Sequence, residues 1–329
     1  MFKNKSILIT GGTGSFGNAF IDFVHKNKVN FKKIVIFSRD EFKQDILEKK
    51  IPKNLKKKFR FFLGDVRDES RLIYAFENID IVIHAAALKQ VPKAEYDPFE
   101  FVQTNIIGAQ NVISAAIKCS VKKVIALSTD KSSSPTNLYG ATKLCSDKLF
   151  ISANNIKGSK KTSFSVIRYG NVLGSRGSVL EELKKNKKKS FLTDPKMTRF
   201  TINLREAIKI TFWVIKNCIG GEIVVPKIPS YKILDFIESV NPNSKITITG
   251  IRPGEKIHEE MISLHDSQNT LELKDKYLIA SPFFRKDIYN YYKKNYAAKN
   301  VSKDFSYTSD KNIFLTIKQI KKSITDNNF

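Results

Sequence analysis

The sequence has little cysteine, methionine and tryptophan, and it has no long apolar run. Among 329 residues there are three cysteines, three methionines and one tryptophan. Cys119, Cys145 and Cys218 are scattered and odd in number, which excludes a disulfide framework and predicts a reducing, cytoplasmic setting. No apolar stretch approaches the roughly 18 residues of a membrane span, and Ser6–Thr10 is shorter than the ~7–15-residue core of a signal peptide. We therefore expect no membrane partner.

Glycine and proline are also sparse, whereas lysine is abundant. Fifteen glycines and ten prolines exclude a collagen-like chain, and 41% hydrophobic residues exclude a disordered one. The formal net charge is +25, with lysine runs at 56–58, 160–161 and 187–189. These runs are separated and lack interleaved aromatic residues, so we interpret them as solvated faces and predict no nucleic-acid partner. The positive potential would still attract a diphosphate.

Short β-branched runs alternate with helical patterns through the first half of the chain. A long helical pattern spans about Phe99 to Cys119. The runs predict buried parallel strands at Ser6–Thr10, Lys33–Ser38, Phe59–Gly64, Asp80–Ala86, Lys122–Thr129 and Phe164–Tyr169. This alternation is typical of an α/β fold with a doubly wound, Rossmann-type parallel sheet.

A glycine-rich turn follows the first strand and opens a helix. It fits G-x-G-x-x-G with Gly12, Gly14 and Gly17, or G-x-x-G-x-x-G with Gly11 as its first glycine. Such glycines let the backbone approach a pyrophosphate, and the helix N-terminus supplies free N–H groups. We predict a dinucleotide held by Gly11, Thr13, Gly14, Ser15, Phe16 and Gly17.

The end of the second strand indicates which dinucleotide binds. An enzyme that reads the ribose of NAD usually has Asp or Glu there, but this chain has Ser38 and Arg39. A hydroxyl and a guanidinium suit the 2′-phosphate of NADP, and Lys43 adds charge one turn later. We therefore predict NADP. The alternative is that Arg39 is a surface residue paired with Asp40.

Residues after the third and fourth strands complete the predicted cofactor site. Asp65 and Val66 would flank the adenine, unless Asp65 caps the following turn instead. Ala85 and Ala86 are small enough for the cofactor to lie against the backbone, although tight core packing would also explain them. Lys89 is a candidate for contact with the cofactor or with the substrate.

Candidate catalytic residues follow the fifth strand. The strand ends in Thr129, Asp130 and Lys131, and Tyr139 and Lys143 come next at i and i+4 spacing, on one face of a helix. We expect the ammonium of Lys143 to lower the pKa of Tyr139 toward a useful value. With the glycine-rich turn, this pattern resembles the nucleotide-sugar branch of the extended short-chain dehydrogenase/reductase superfamily, from about Lys5 to Met261.

The resemblance becomes close around residues 84–92, 128–144 and 195–200. There the chain resembles the inverting UDP-N-acetylglucosamine 4,6-dehydratases that begin pseudaminic acid biosynthesis. The resemblance implies NADP, UDP-N-acetylglucosamine as substrate, inversion at C5 and a homo-oligomer, either hexamer or dimer. It implies that Thr129, Tyr139 and Lys143 surround C4. It also implies that Asp130 is the acid for the C6 hydroxyl and Lys131 the base for the C5 hydrogen.

The acid–base assignment contains a tension, and a simpler alternative exists. Lys131 must be neutral to act as a base, yet the neighbouring Asp130 favours its charged form. The loss of water around Lys131 when substrate binds would have to outweigh the effect of the carboxylate, or the two groups would titrate as a coupled pair. Without Tyr139 and Lys143 nearby, an ordinary surface ion pair would explain both residues.

Substrate-binding candidates lie after the sixth strand and in later loops. The resemblance assigns Asn171 to the sugar nucleotide. Arg199 and Arg252 have the planar forks that suit phosphate, and Glu255 could hold a ribose hydroxyl, although loop salt bridges are the alternative for each. His84 ends a buried strand, which indicates a structural role. No cluster has metal-ligand spacing, so we predict no metal.

These motifs divide the chain into three parts. We predict an NADP-binding Rossmann domain with the catalytic residues at 1–170, a mainly substrate-binding lobe interleaved with the sheet at 171–282, and a C-terminal arm at 283–329. Short strands at Glu222–Pro226 and Lys245–Thr249 belong to the second part. Two other functions remain open: a UDP-sugar C4 or C5 epimerase, and a non-catalytic NADP-binding protein.

Overall fold

A computed structural model describes residues 2–326. Its strands are β1 (Ser6–Thr10), β2 (Lys33–Ser38), β3 (Phe59–Leu63), β4 (Ile81–His84), β5 (Lys123–Leu127), β6 (Ser163–Ile167), β7 (Asn171–Leu173), β8 (Lys189–Leu192), β9 (Thr198–Asn203), β10 (Glu222–Pro226), β11 (Ser230–Lys232), β12 (Lys245–Ile248), β13 (Glu260–Ile262), β14 (Thr270–Glu272), β15 (Lys276–Ala280), β16 (Lys299–Asn300) and β17 (Tyr307–Thr308).

The α-helices lie between these strands and after them. They are α1 (Ser15–Lys26), α2 (Glu41–Lys50), α3 (Glu69–Phe76), α4 (Val91–Tyr96), α5 (Pro98–Val102), α6 (Gly108–Lys118), α7 (Leu138–Ile156), α8 (Val179–Lys185), α9 (Leu204–Asn217), α10 (Ile233–Val240), α11 (Leu264–Ser267), α12 (Arg285–Tyr296) and α13 (Ile317–Asp326). No helix in residues 2–326 is both long and apolar enough to cross a membrane.

The central sheet has the predicted doubly wound topology. Its order is β16-β14-β15-β10-β6-β5-β4-β1-β2-β3. Strands β1 to β6 and β10 run parallel, and β15, β14 and β16 extend the sheet with antiparallel pairing. The order β3-β2-β1-β4-β5-β6 is the Rossmann order, which brings the carboxyl ends of six strands to one edge.

Several sequence expectations need correction. The strands expected at 80–86, 122–129 and 164–169 are β4, β5 and β6, and all three end earlier than expected. The strand expected at 59–64 ends at Leu63 and is only partly buried, because it lies at the edge of the sheet: Leu63 is 44% exposed. The single helix expected from about Phe99 to Cys119 is α5, then a π-helical segment at Gln103–Ile107, then α6. The wider turn places the Asn105 amide against both backbone groups of Leu88 at 2.9 Å, which holds the loop after β4.

The remaining elements form the smaller lobe and cover the sheet. A second apolar cluster contains Leu180 and Leu183 of α8, Phe236 and Ile237 of α10, and Ile320 of α13. The segment at 283–329 therefore contributes to this lobe through α13. It also contributes to the central sheet through β16. The expected strand at Glu222–Pro226 lies in the central sheet, and Lys245–Ile248 pairs with β8 in the lobe.

Candidate active site

A cavity of about 1160 Å³ opens where β1 to β6 end. This volume exceeds the ~300–1,000 Å³ usual for a pocket that holds one small ligand, so two ligands fit side by side. The sequence-predicted residues that line it are Gly11, Thr13, Gly14, Ser15, Phe16, Ser38, Arg39, Lys43, Asp65, Val66, Ala85, Ala86, Lys89, Thr129, Lys131, Tyr139, Lys143, Asn171, Arg199, Arg252 and Glu255. Two predicted residues, Gly17 and Asp130, lie behind the cavity wall.

The turn after β1 forms an open helix N-terminus. Gly11 has φ +64°, and a Cβ there would lie 2.8 Å from the Ala86 Cα, so the turn needs glycine. Gly14 caps α1 without any side-chain hydrogen bond, and the first turn of α1 contains no acidic residue. The first amides of α1 therefore face the cavity without a competing carboxylate, which suits a phosphate group.

Gly17 serves packing and does not touch the cavity. A Cβ on Gly17 would lie 1.9 Å from the carbonyl oxygen of Gly12, inside any permitted contact. Its absence lets the first turn of α1 lie directly on the end of β1. The prediction that Gly17 contacts the cofactor is therefore replaced by a supporting role: it sets the helix position that the phosphate site requires.

The residues after β2 and β3 are held by a charge network. The Arg39 guanidinium lies 3.4 Å from the Asp65 carboxylate, not against Asp40 as the alternative interpretation had it. Asp40 instead accepts the Lys43 backbone N–H at 2.9 Å and pairs with the Lys43 ammonium. Asp65 also accepts the backbone N–H of Arg67 at 3.0 Å, which is the turn-capping role named as its alternative.

Sequence reasoning missed Arg176, which lies over the phosphate turn. Its guanidinium donates to the Thr13 carbonyl at 2.8 Å, and its backbone N–H donates to the Ser15 hydroxyl at 3.0 Å. Gly174 and Gly177 flank it with φ +72° and +69°, and this conformation turns the loop back over α1. The two glycines that flank Arg176 in a polar loop were the sequence feature that could have indicated its position.

The Tyr–Lys helix is fixed by its first turn. The Asn137 side chain caps α7 by accepting the Gly140 N–H at 2.8 Å. A Cβ on Gly140 would lie 2.2 Å from the Lys131 carbonyl, so glycine lets α7 approach the turn after β5. Tyr139 and Lys143 then face the same cavity from one side of the helix.

The expected lowering of the Tyr139 pKa is wrong for this geometry. Burial raises the pKa of Tyr139 to about 12, and Lys131 and a hydrogen bond with Thr129 offset it only in part. The Lys143 ammonium donates to the Leu127 carbonyl at 2.9 Å. Burial also lowers the pKa of Lys143 itself.

Asp130 and Lys131 form a buried pair at the base of the cavity. The Lys131 ammonium lies 3.0 Å from Asp130 Oδ1, which also accepts the Thr129 hydroxyl at 3.0 Å. Asp130 is fully buried, and burial raises the pKa of its carboxyl. Burial opposes the charge on Lys131, but the carboxylates of Asp130 and Glu259 outweigh it and raise the pKa of the ammonium.

Glu259 is the second carboxylate at Lys131, and sequence reasoning missed it. Its Oε1 lies 3.0 Å from the ammonium, and its side chain is 3% exposed. Burial alone would raise the pKa of Glu259, but Lys131 and Arg199 hold it below its ordinary value. The sequence feature that could have indicated it was its place three residues after the Arg252–Lys256 turn.

A second buried network supports the turn from behind. Asp147 Oδ2, on α7, accepts the hydroxyls of Ser128 and Ser132 at 2.8 and 2.9 Å. It also faces the Arg168 guanidinium at 3.4 Å. These contacts hold both ends of the turn that carries Asp130 and Lys131.

The substrate-side candidates surround the same pair. Asn171 Oδ1 lies 3.4 Å from the Lys131 ammonium. Arg199 donates to the Thr198 and Ile257 carbonyls at 2.7 and 3.0 Å, so the protein already uses much of its fork. Arg252 is exposed and forms a long ion pair with Glu255 at 4.0 Å, which is the loop salt bridge named as its alternative and which a phosphate could replace.

His84 is structural, as its position indicated. Its Nδ1 lies 2.9 Å from the Thr10 hydroxyl, and the ring is 1% exposed. In residues 2–326 no group of three or more His, Cys, Asp or Glu side chains is arranged to hold a metal ion.

The chain is similar to known proteins over almost its whole length. Residues 7–281 match the family model described as "Polysaccharide biosynthesis protein". The chain is 50% identical over 320 residues to "UDP-N-acetylglucosamine 4,6-dehydratase (inverting)" of Campylobacter jejuni subsp. jejuni serotype O:23/36 (strain 81-176), which covers 95% of this chain and 94% of the relative. It is 37% identical over 345 residues to "UDP-glucose 4-epimerase" of Rickettsia canadensis (strain McKiel), covering 100% and 98%.

A solved structure has nearly the same architecture. The X-ray structure of Pen from Bacillus thuringiensis superposes with a TM-score of 0.88 at 38% identity. The match covers 99% of this chain and 98% of that chain.

Proposed function

The chain belongs to the polysaccharide biosynthesis protein family, and on that premise we propose that it is a nucleotide-sugar 4,6-dehydratase, a hydro-lyase. The substrate is UDP-N-acetylglucosamine, and C5 is inverted, so the product is UDP-2-acetamido-2,6-dideoxy-β-L-arabino-hex-4-ulose. One observation carries the proposal: a buried acid–base pair, Asp130 and Lys131, lies beside the Tyr139–Lys143 face and an open phosphate turn. The 50%-identical relative supports the reaction and the substrate.

The residues present fit a nicotinamide dinucleotide. The uncapped N-terminus of α1 and the glycine turn suit a pyrophosphate, and Arg176 lies against the same turn. When bound, the nicotinamide would take a hydride from C4 and return it to C6. We propose NADP because Ser38 and Arg39 stand at the end of β2 where NAD enzymes have a carboxylate.

The side chains divide the proton transfers between them. Tyr139 is the base for the C4 hydroxyl, hydrogen-bonded to Thr129 and on the same helix face as Lys143. Because burial raises its pKa, the positive charge of a bound oxidised nicotinamide would have to lower that pKa before the phenol gives up its own proton. The C4 ketone makes the C5 hydrogen acidic, and Lys131 removes it. Asp130 holds a proton because burial raises its pKa. It is fully buried behind Thr129 and Lys131, which line the cavity, so its proton reaches the C6 hydroxyl through the Thr129 hydroxyl, 3.0 Å away, and water leaves.

Groups on the lobe side would bind the nucleotide end of the substrate. Arg252 has an exposed guanidinium for the diphosphate, and Asn171 Oδ1 lies 3.4 Å from the Lys131 ammonium. Lys89 lines the cavity near Arg176. Burial lowers the pKa of Lys89, so a phosphate that binds there would restore its charge.

The test is proton NMR of the purified protein with UDP-N-acetylglucosamine in D₂O. A new C6 methyl signal with deuterium at C5 would support the dehydratase, and the ring couplings would distinguish L-arabino from D-xylo products. The 37%-identical relative favours UDP-sugar 4-epimerase as the second candidate. A C4 epimer without a methyl signal would establish that candidate and contradict the roles of Asp130 and Lys131.

The cofactor proposal has its own test. Apoprotein would be titrated with NADP and with NAD, using calorimetry to measure each dissociation constant. Arg39→Ala should weaken NADP binding at least tenfold and leave NAD binding nearly unchanged. Arg205→Ala, which changes an exposed arginine on α9, is the matched control. Equal losses for both dinucleotides would contradict the proposal.

We also propose that the chain is a cytoplasmic homo-oligomer, a hexamer or a dimer. Tyr96 and Phe99, on the consecutive helices α4 and α5, are 86% and 63% exposed, and this pair of aromatic side chains is our candidate for the surface that a partner covers. Light scattering would give the mass, and Phe99→Glu should shift it toward the monomer.

A further inference from the structure

Lys131 lies between two buried carboxylates, and one of them has no role in the reaction described so far. Its ammonium is 3.0 Å from Asp130 Oδ1 and 3.0 Å from Glu259 Oε1. The other oxygens of both acids, Asp130 Oδ2 and Glu259 Oε2, are buried and have no hydrogen-bond partner among residues 2–326. Burying a second carboxylate next to the pair carries a free-energy cost, which a purely structural ion pair would not require.

The C-terminal arm holds Glu259 in place. Its backbone N–H donates to the Ser309 hydroxyl at 2.9 Å, and Ser309 N–H donates to the Glu259 carbonyl at 2.8 Å. Ser309 also contacts the Thr198 hydroxyl at 2.7 Å. Glu260 then accepts the Ser134 hydroxyl at 2.7 Å, so the same segment holds the turn after β5.

The chemistry assigned to Asp130 and Lys131 lacks a proton acceptor. Lys131 must lose a proton before it can remove the C5 hydrogen, whereas Asp130 must keep one for the leaving water. Asp130 therefore cannot accept the proton of Lys131. Glu259 is the ionised acid within hydrogen-bond distance of the ammonium, 3.0 Å from it. The contacts that ionise Glu259 also raise the pKa of Lys131, so the resting pair keeps both charges. The transfer becomes favourable when bound substrate removes water from the pair, because desolvation favours the two neutral forms.

We propose that Glu259 is the proton acceptor of Lys131, acting through that residue as a positioning residue rather than on the sugar itself. The inference rests on the proposed 4,6-dehydratase function. An N–H bond of the ammonium breaks and an O–H bond forms at Glu259 Oε1, which leaves a neutral amine. The amine then takes the C5 proton, and the C–H electron pair enters the enolate.

The proton transfers of the elimination balance within the three side chains, and the later return of hydride to C6 needs one further proton, at C5, which solvent supplies. As the C6–O bond breaks, its electron pair leaves with the oxygen, Asp130 protonates that oxygen through the Thr129 hydroxyl, and water departs with the C5–C6 double bond formed. Lys131 now carries the C5 proton. It passes one proton to the Asp130 carboxylate, and Glu259 returns its proton to the amine. The three side chains are then back in their starting protonation states, and the C5 proton has replaced the one lost in water.

Glu259→Gln tests the proposal, because the amide keeps a hydrogen bond to Lys131 but accepts no proton. Single-turnover mixing with UDP-N-acetylglucosamine would follow the near-ultraviolet absorbance of reduced nicotinamide and, separately, methyl product by NMR. We expect C4 oxidation to proceed within about threefold of the wild-type rate and elimination to slow about 100-fold, the lower range for an acid–base group. Reduced cofactor should accumulate. Glu238→Gln, which changes an exposed glutamate on α10, is the control.

The pH profile separates proton transfer from support of the fold. The charged and titratable groups around Lys131 are Asp130, Glu259, Arg199, Lys256, Tyr139 and Tyr231. The elimination rate of the wild type should not change across neutral pH, since the acceptor of the Lys131 proton is a side chain of the protein. Elimination by Glu259→Gln should rise in proportion to hydroxide, since Lys131 then loses its proton to solvent. Glu259→Asp should recover part of the elimination rate, and that rate should again not change across neutral pH.

Three results would overturn the proposal. The first is elimination by Glu259→Gln at the wild-type rate. The second is an equal loss of C4 oxidation and elimination with an unchanged pH profile. The third applies if Glu259→Gln does not fold: it is an elimination rate of Glu259→Asp that still rises with pH across the neutral range. A wild-type protein that makes no methyl product would instead refute the proposed function.

Discussion

His84 gives the chain a specific sensitivity to acid. It ends β4 beneath the cavity, 1% exposed, with Nδ1 2.9 Å from the Thr10 hydroxyl and its ring centroid 5.4 Å from that of Phe150. Burial, with a smaller contribution from the charge of Lys143, lowers the pKa of His84 from 6.5 to about 3. The folded protein therefore keeps this imidazole neutral.

The sign and size of the effect follow from the two pKa values. The unfolded chain protonates His84 below pH 6.5, whereas the folded chain protonates it only near pH 3. Below pH 6.5 the unfolded state binds one proton more than the folded state, so acid favours unfolding. The stability associated with a neutral His84 is therefore complete above pH 6.5 and is lost as the pH falls from 6.5 toward 3. Each pH unit corresponds to about 1.4 kcal/mol, so acidification to about pH 4.5 should lower the free energy of unfolding by roughly 2–3 kcal/mol.

Urea unfolding of His84→Asn against wild type measures this loss. Asparagine keeps a hydrogen-bonding group near Thr10 but does not titrate, so the variant should be less stable at neutral pH and lose less stability in acid. Asp65 and Asp80, whose pKa values are lowered, destabilise both proteins equally in acid and cancel in the comparison. His265→Asn, an exposed histidine, should behave as wild type. Parallel pH dependences for His84→Asn and wild type would refute the reasoning.

Three further predictions concern the walls of the site. Gly17→Ala places a Cβ 1.9 Å from the Gly12 oxygen, so α1 must shift; we expect a loss of about 1–3 kcal/mol in urea unfolding and weaker dinucleotide binding by calorimetry. Asp147→Asn removes one of the two carboxylates that face the buried Arg168, leaving Asp266 at 3.5 Å; it should cost about 1–3 kcal/mol, and adding Arg168→Met should recover part of that in a double-mutant cycle. Tyr139→Phe should bind UDP-sugar but leave the bound nicotinamide oxidised, as absorbance would show.

The sequence was most informative where strands are buried on both faces. The bounds predicted for β1 and β2 match the structure, because both are continuous apolar runs that a polar or glycine-rich turn ends. Each chemistry-bearing motif of the first half follows one of these strands. Since parallel strands bring their carboxyl ends to one edge, the topology alone placed Gly14, Ser38 and Lys131 around one cavity.

The sequence was least informative where distant segments decide burial. Glu259 and Glu260 occur in a charged stretch that is typical of a surface loop, yet Glu259 is 3% exposed. Its burial depends on Ser309 in the C-terminal arm and on the turn after β5, and no local pattern encodes such contacts. The pKa of Tyr139 was mispredicted for the same reason: spacing along α7 gives the neighbour Lys143, but burial of the ring decides the direction.

The relatives named as 4-epimerases and as a 4,6-dehydratase differ in what their chemistry requires. Epimerisation at C4 needs a proton acceptor for the C4 hydroxyl and a hydride that leaves and returns at one carbon. It needs no acid at C6 and no base at C5. This chain buries Asp130 and Glu259 around Lys131 and leaves an oxygen of each acid without a hydrogen bond from the part of the chain that the structure describes, which costs free energy that packing alone would not. A reaction that moves protons at C5 and C6 gives those three titratable groups a use, and this is the physical reason for preferring the dehydratase.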